Sequence, residues 1–125
     1  DLHALTAPAL QELRASGLRL GVSTHGYAEM LRADAVGPSY LALGAVFPTT
    51  LKRMATAPQG VARLAAYARL MQASYPLVAI GGIALEQFGP VRATGVGSIA
   101  VVRALVAASD PEAAAAQLLR AMASA

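Results

Sequence analysis

The chain contains no cysteine among its 125 residues. That removes disulfide frameworks, thiolate zinc sites and cysteine nucleophiles together. Aromatic residues reach only 5%, too few for the base-stacking surfaces of single-strand binders. Charged residues are 14% of the chain, and the net charge of +3 comes from scattered arginines, not from a basic patch. No nucleic-acid partner is expected on these grounds. No uninterrupted apolar run reaches bilayer-spanning length, so no membrane insertion is expected either. The first residues, Asp1-Leu2-His3-Ala4-Leu5, lack the basic-then-apolar order of a secretory signal. With the missing cysteine, this fits a cytoplasmic protein. An initiating methionine is also missing, and the chain is expected to begin partway through a larger protein.

What is present is apolar: 56% of the residues, enough for one sizeable core in a single domain over residues 1–125. Much of it is alanine in helical patterns. Thr6 and Pro8 read as a helix start ended by Gly17. Four short apolar runs follow as strands: Leu18 to Ser23, Tyr40 to Val46, Pro76 to Ile80 and Ser98 to Val102. Helices are predicted over Tyr27 to Ala35, Gly60 to Met71 and Leu85 to Ala93, with a short segment around Arg103 to Ala107. Asp110-Pro111-Glu112 opens a last helix with a cap, a proline and an acid. One helix followed by four βα units predicts an α/β fold with parallel strands. Half of an eight-stranded barrel and an open doubly wound sheet both fit the pattern. In either, ligands bind at the carboxyl ends of the strands.

The stretch Gly44 to Lys52 is the most informative. An apolar run ends in Pro48-Thr49-Thr50, and Lys52, the only lysine of the chain, follows. Hydroxyls, backbone amides and one cation at the mouth of a strand suit a phosphorylated ligand. An ordinary polar loop after a strand is the competing reading. His25, at the end of the first strand, is a candidate acid–base group. His3 reads as a surface residue.

Four motifs carry a resemblance in their order and spacing: Gly21-Val22-Ser23-Thr24-His25, Tyr40 through Thr49, Val78-Ala79-Ile80-Gly81-Gly82-Ile83, and Gly97-Ser98-Ile99-Ala100-Val101-Val102. Together they resemble the C-terminal part of the thiamine-phosphate synthase family. The resemblance implies a TIM (β/α)8 barrel, with this chain covering roughly its C-terminal half as four βα units. It implies a transferase of thiamine biosynthesis that joins hydroxymethylpyrimidine pyrophosphate to thiazole phosphate. The products are thiamine phosphate and pyrophosphate, formed through a carbocation-like intermediate with magnesium (Mg2+) as cofactor.

Carried over by position, Ser23 binds the pyrimidine substrate and Lys52 its pyrophosphate. These two are the catalytic candidates, since a cation suits a leaving group whose charge grows as its bond breaks. Thr49 matches a threonine that contacts the thiazole phosphate. The family pattern has a second hydroxyl where Leu51 stands, which leaves the Leu51 backbone and the neighbouring Thr50 for that contact. Gly82 matches a glycine whose amide meets the same phosphate. Val102 and Arg103 match a pair that binds it through amides at a helix start. Arg103 replaces a usual serine, and either adds a phosphate contact or points to solvent. Asp1 matches a magnesium-binding aspartate, with a frayed terminal residue as the alternative.

The upstream half supplies further pyrophosphate and magnesium ligands in the family, so the isolated chain is expected to be poorly active. Its open sheet edges predict pairing with a second copy, a homo-oligomer. Two rival functions remain: a thiazole tautomerase on the same scaffold, in which a histidine near the position of His25 is catalytic, and a non-catalytic phosphate-binding module.

Overall fold

Local sequence signals set both ends of the chain's helical frame. The computed structural model describes Leu2 and residues 5–124. Helix α1 (Ala7–Ala15) begins where Thr6 Oγ1 accepts from the Ala9 amide at 3.4 Å, with Pro8 in the first turn. At the far end, α6 (Pro111–Ala123) starts at Asp110, whose Oδ1 accepts from the Ala113 amide at 3.0 Å. Between them the order is β1 (Gly21–Thr24), α2 (Tyr27–Val36), β2 (Tyr40–Leu43), α3 (Gly60–Met71), β3 (Leu77–Ile80), a 3-10 turn (Leu85–Gln87), α4 (Phe88–Arg92), β4 (Ser98–Ala100) and α5 (Arg103–Val106). Among the described residues, no helix is long and apolar enough to cross a membrane.

The four strands form one parallel sheet in the order β1-β2-β3-β4. Every strand lies beside its neighbour in sequence, and the order never reverses. A doubly wound sheet turns back at a switch point; sequential winding is that of a barrel. The topology therefore settles what the sequence pattern left open.

The register separates two faces. Val22, Leu41 and Leu77 align across the sheet, as do Thr24, Leu43, Ala79 and Ile99. All but Ile99 are buried. They pack with Met30 and Ala33 of α2, Leu64, Tyr67, Ala68 and Met71 of α3, and Phe88 and Val91 of α4. Burying a side chain such as Leu41 or Leu64 contributes about 1.5–3 kcal/mol each. The hydroxyl of Thr24 is accommodated on this apolar face because it donates to the Ala42 carbonyl at 3.1 Å. The opposite face carries the row Ser23, Ala42, Val78 and Ser98, small residues of the kind that line a barrel interior.

Several expected boundaries shift. The second strand, expected to reach Val46, has regular pairing only to Leu43. A Cβ on Gly44 would collide with the Ile80 carbonyl oxygen, so the two chains approach at that point more closely than ordinary strands do. Pairing then resumes irregularly: the Val46 and Phe47 amides donate to the Ile80 and Gly81 carbonyls, both at 3.0 Å. The first strand begins at Gly21 and not at Leu18, because the Leu18 amide is bonded to Leu13 O in the C-terminal turn of α1. The helix expected over Leu85 to Ala93 is split into the 3-10 turn and α4. Pro90 has no N–H to donate to the Glu86 carbonyl, so an unbroken α-helical ladder cannot form there. The fourth strand likewise closes at Ala100, two residues before Val102.

Candidate active site

The carboxyl ends of the four strands surround a cavity of about 550 Å3. Ser23 and Thr24 reach it from β1, Gly44 and Ala45 from the end of β2, Ile80 to Ile83 from the end of β3, and Ala100 to Ala104 from the end of β4. Ser23, Thr49, Lys52, Gly82 and Val102, chosen from motif position, all line this one space. Leu51 and Arg103 line it too. Thr50 does not: its hydroxyl is turned aside and accepts from Arg103 Nη1 at 2.7 Å. Arg103, exposed to solvent, borders the cavity and also bridges to a neighbouring loop.

The mouth is built by backbone packing between two turns. Gly81 and Gly82 have φ of +102° and +66°, values that favour glycine. A Cβ on Gly82 would strike the Pro48 carbonyl oxygen and come within 2.9 Å of the Phe47 carbonyl carbon. The close approach that requires glycine here is that of the Phe47-Pro48 backbone, a requirement of the fold itself. The turn after β3 can therefore rest directly on the loop that carries Thr49 and Lys52.

Thr49 Oγ1 accepts from the Leu51 amide at 3.3 Å, a local turn that shapes the segment before Lys52. Val102 immediately precedes α5. The first amides of any helix lack intrahelical partners and are donors toward whatever lies in front of them. On the far side, His25 borders the cavity with its ring held in place: Glu29 Oε2 accepts from the His25 amide at 2.9 Å and lies 2.8 Å from Nδ1. The hydrogen bond from His25 holds the Glu29 carboxyl below its ordinary value of 4.5, against a smaller opposing effect of burial. A carboxylate that fixes Nδ1 orients the other ring nitrogen, an arrangement suited to acid–base use as well as to closing the start of α2.

Lys52 and Arg103 border the cavity, and no carboxylate is among its described lining residues. Much of the rest is apolar: Ile80, Ile83, Met54, and the alanines at 45, 84, 100, 104 and 107. Motif reasoning missed these walls. Their only signal is position, at or just beyond the strand ends. Two cations bordering a cavity with no carboxylate among its described lining favour an anion by Coulomb attraction.

The same lining does not suit a bare dication. Magnesium takes oxygen ligands of carboxylate or phosphate type, and no cluster of three or more His, Asp or Glu side chains able to hold a metal occurs among the described residues. Asp1, the expected metal ligand, lies outside the described residues.

A sequentially wound parallel sheet with a cavity at its strand ends defines a protein of the barrel class. Residues 3–105 match the family model described as thiamine monophosphate synthase. The chain is 58% identical over 110 residues to a thiamine-phosphate synthase of Salmonella schwarzengrund, covering 88% of this chain and 52% of the relative. The same figures hold for the Salmonella enteritidis protein of that name. Among solved structures, the thiamine phosphate pyrophosphorylase of Pyrococcus furiosus superposes with a TM-score of 0.77 at 32% identity, covering 90% of this chain and 52% of that one. A 3-hexulose-6-phosphate synthase, at 19% identity and a TM-score of 0.64, shares the fold. The chain belongs to the thiamine monophosphate synthase family. It spans about half the length of the curated relatives it matches.

Proposed function

We propose that this chain forms one rim of a thiamine-phosphate synthase site, a transferase that joins hydroxymethylpyrimidine pyrophosphate to thiazole phosphate. The observation that carries the reading is the pair of cations, Lys52 and Arg103, on one cavity without a carboxylate among its described lining. As the pyrimidine–pyrophosphate bond breaks, negative charge collects on the leaving oxygens. Lys52 stabilises that charge, more strongly in the transition state than before it. Thr49, the Gly82 amide and the amides at Val102 and Arg103 hold the phosphate of the second substrate. Ser23, exposed on the open face of β1, positions the pyrimidine. The apolar wall of Ile80, Ile83 and Met54 keeps water from the carbocation-like species, whose only productive partner is the thiazole nitrogen.

The tautomerase and the non-catalytic module are not favoured, since the family model and the named relatives are synthases. Calorimetry with inorganic pyrophosphate and with thiazole phosphate tests the reading directly. Replacing Lys52 by alanine removes one charge-assisted contact, for a loss in pyrophosphate affinity of about tenfold or more. Thiazole phosphate binding survives the change better. Equal loss for both ligands, or none for pyrophosphate, would overturn the assignment of Lys52.

A further inference from the structure

Between the end of β2 and the start of α3, the chain runs for many residues without regular structure. Its beginning is tied to β3 through Val46 and Phe47, and its end is tied back by the Gln59 amide, which donates to Ala45 O at 2.8 Å. Residues 48–58 lie between these anchors. The Leu51–Thr49 and Gln59–Ala57 hydrogen bonds are local to the segment and its edge. Among the described residues, one hydrogen bond joins this segment to another element of the fold: Arg103 Nη1 to Thr50 Oγ1, at 2.7 Å. It spans 53 positions in sequence and starts from the first residue of α5.

We propose that Arg103 is a positioning residue that clasps this loop through Thr50, holding Thr49 and Lys52 over the cavity before ligand arrives; the ligand-binding consequence rests on the phosphate-site reading above. Thr50 is the one member of Thr49–Lys52 that does not border the cavity. The clasp therefore grips the loop on its outer side and leaves the inner side free. A flexible loop must lose conformational freedom when it closes on a ligand, and a contact that orders it beforehand removes part of that cost. Arginine suits the task because its planar fork has five donors. One bond to Thr50 leaves others for a phosphate oxygen, so the same side chain can register the loop against the ligand.

Two measurements on the full chain decide the matter. In ligand-free protein, hydrogen exchange of the amides at residues 49–53 accelerates about threefold or more in Arg103→Ser and in Thr50→Val. The double variant exchanges no faster than either single one, while Thr50→Ser, which keeps the hydroxyl, exchanges as the parent does. Unchanged rates in both single variants would overturn the clasp whether or not any ligand binds. In calorimetry with inorganic pyrophosphate, Arg103→Ser and Thr50→Val each weaken binding about threefold to tenfold, non-additively, and Thr50→Ser restores it. Weaker binding in Arg103→Ser with Thr50→Val unchanged would mean direct ligand contact alone, and the clasp would be wrong. If the parent chain binds no pyrophosphate, the phosphate-site reading fails, and the exchange rates still decide the clasp.

Discussion

The Phe47 amide donates to the Gly81 carbonyl at 3.0 Å, which joins the turn after β3 to the loop after β2 outside the regular sheet. This bond and its neighbour from Val46 to Ile80 extend the sheet's connectivity into the rim of the cavity. The rim is thereby an extension of the core. Residues on it, Thr49 and Lys52 above all, inherit their position in part from this backbone pairing.

Gly82→Ala tests that seam. The left-handed backbone at +66° costs a non-glycine residue about 1–3 kcal/mol, and the added methyl meets the Phe47-Pro48 backbone. Urea unfolding is expected to show a loss at or above the upper end of that range. A variant as stable as the parent would mean that the two turns do not touch.

Gln59 and Tyr67 make a second prediction, based on an asymmetry of hydrogen-bond loss. Tyr67 is buried, at 4% exposure, and its hydroxyl donates to Gln59 Oε1 at 2.9 Å. Gln59 Nε2 in turn donates to the His25 carbonyl at 3.0 Å. Gln59→Leu strands a buried hydroxyl and costs about 1–3 kcal/mol, whereas Tyr67→Phe removes the donor itself and costs about 0.5–1.5 kcal/mol. Thermal unfolding of the two variants should rank them in that order, and the reverse order would refute the pairing.

Leu41→Ala probes the centre of the sheet. Leu41 is wholly buried and aligned with Val22 and Leu77 on the helix-facing side. Truncation there costs about 2–5 kcal/mol. The neighbouring Tyr40, 43% exposed on the other face, is expected to tolerate alanine with far less loss when both are compared in one denaturant series.

Acid stability should depend on Glu29. Its carboxyl titrates below the ordinary 4.5 because of the hydrogen bond from His25, so the folded chain binds fewer protons there than the unfolded chain. The stabilisation is complete above pH 4.5 and fades as pH falls through the lowered folded value. Glu29→Gln removes this dependence. Unfolding midpoints followed from neutral pH downward should fall less steeply in the variant across that acid window. Parallel curves would show that the His25–Glu29 contact contributes nothing.

How much of this was legible beforehand depends on the range of the physics involved. Capping by Thr6 and Asp110, the stop at Gly17 and the apolar runs at Leu41 and Leu77 are local preferences, and their elements appear where expected. Val46 reads as strand because it is apolar and β-branched; only the Ile80 backbone passing close to Gly44 explains why regular pairing ends earlier. The break in the helix after Leu85 follows from Pro90, a signal the sequence itself carries. Among the site residues, motif position brought Ser23, Thr49, Lys52, Gly82 and Val102 to one cavity. It placed Thr50 with them, where the structure turns that side chain outward.

The order of apolar runs, caps and glycines by itself determined a parallel α/β chain with its polar motifs at the strand ends, because propensity and burial act over a few neighbouring residues. Only the tertiary structure decided the barrel-type winding, the seating of Gly82 on Phe47-Pro48 and the bond from Arg103 to Thr50. Those depend on which segments meet after the sheet has closed up, and residues 53 apart have no local interaction through which a sequence can announce their contact.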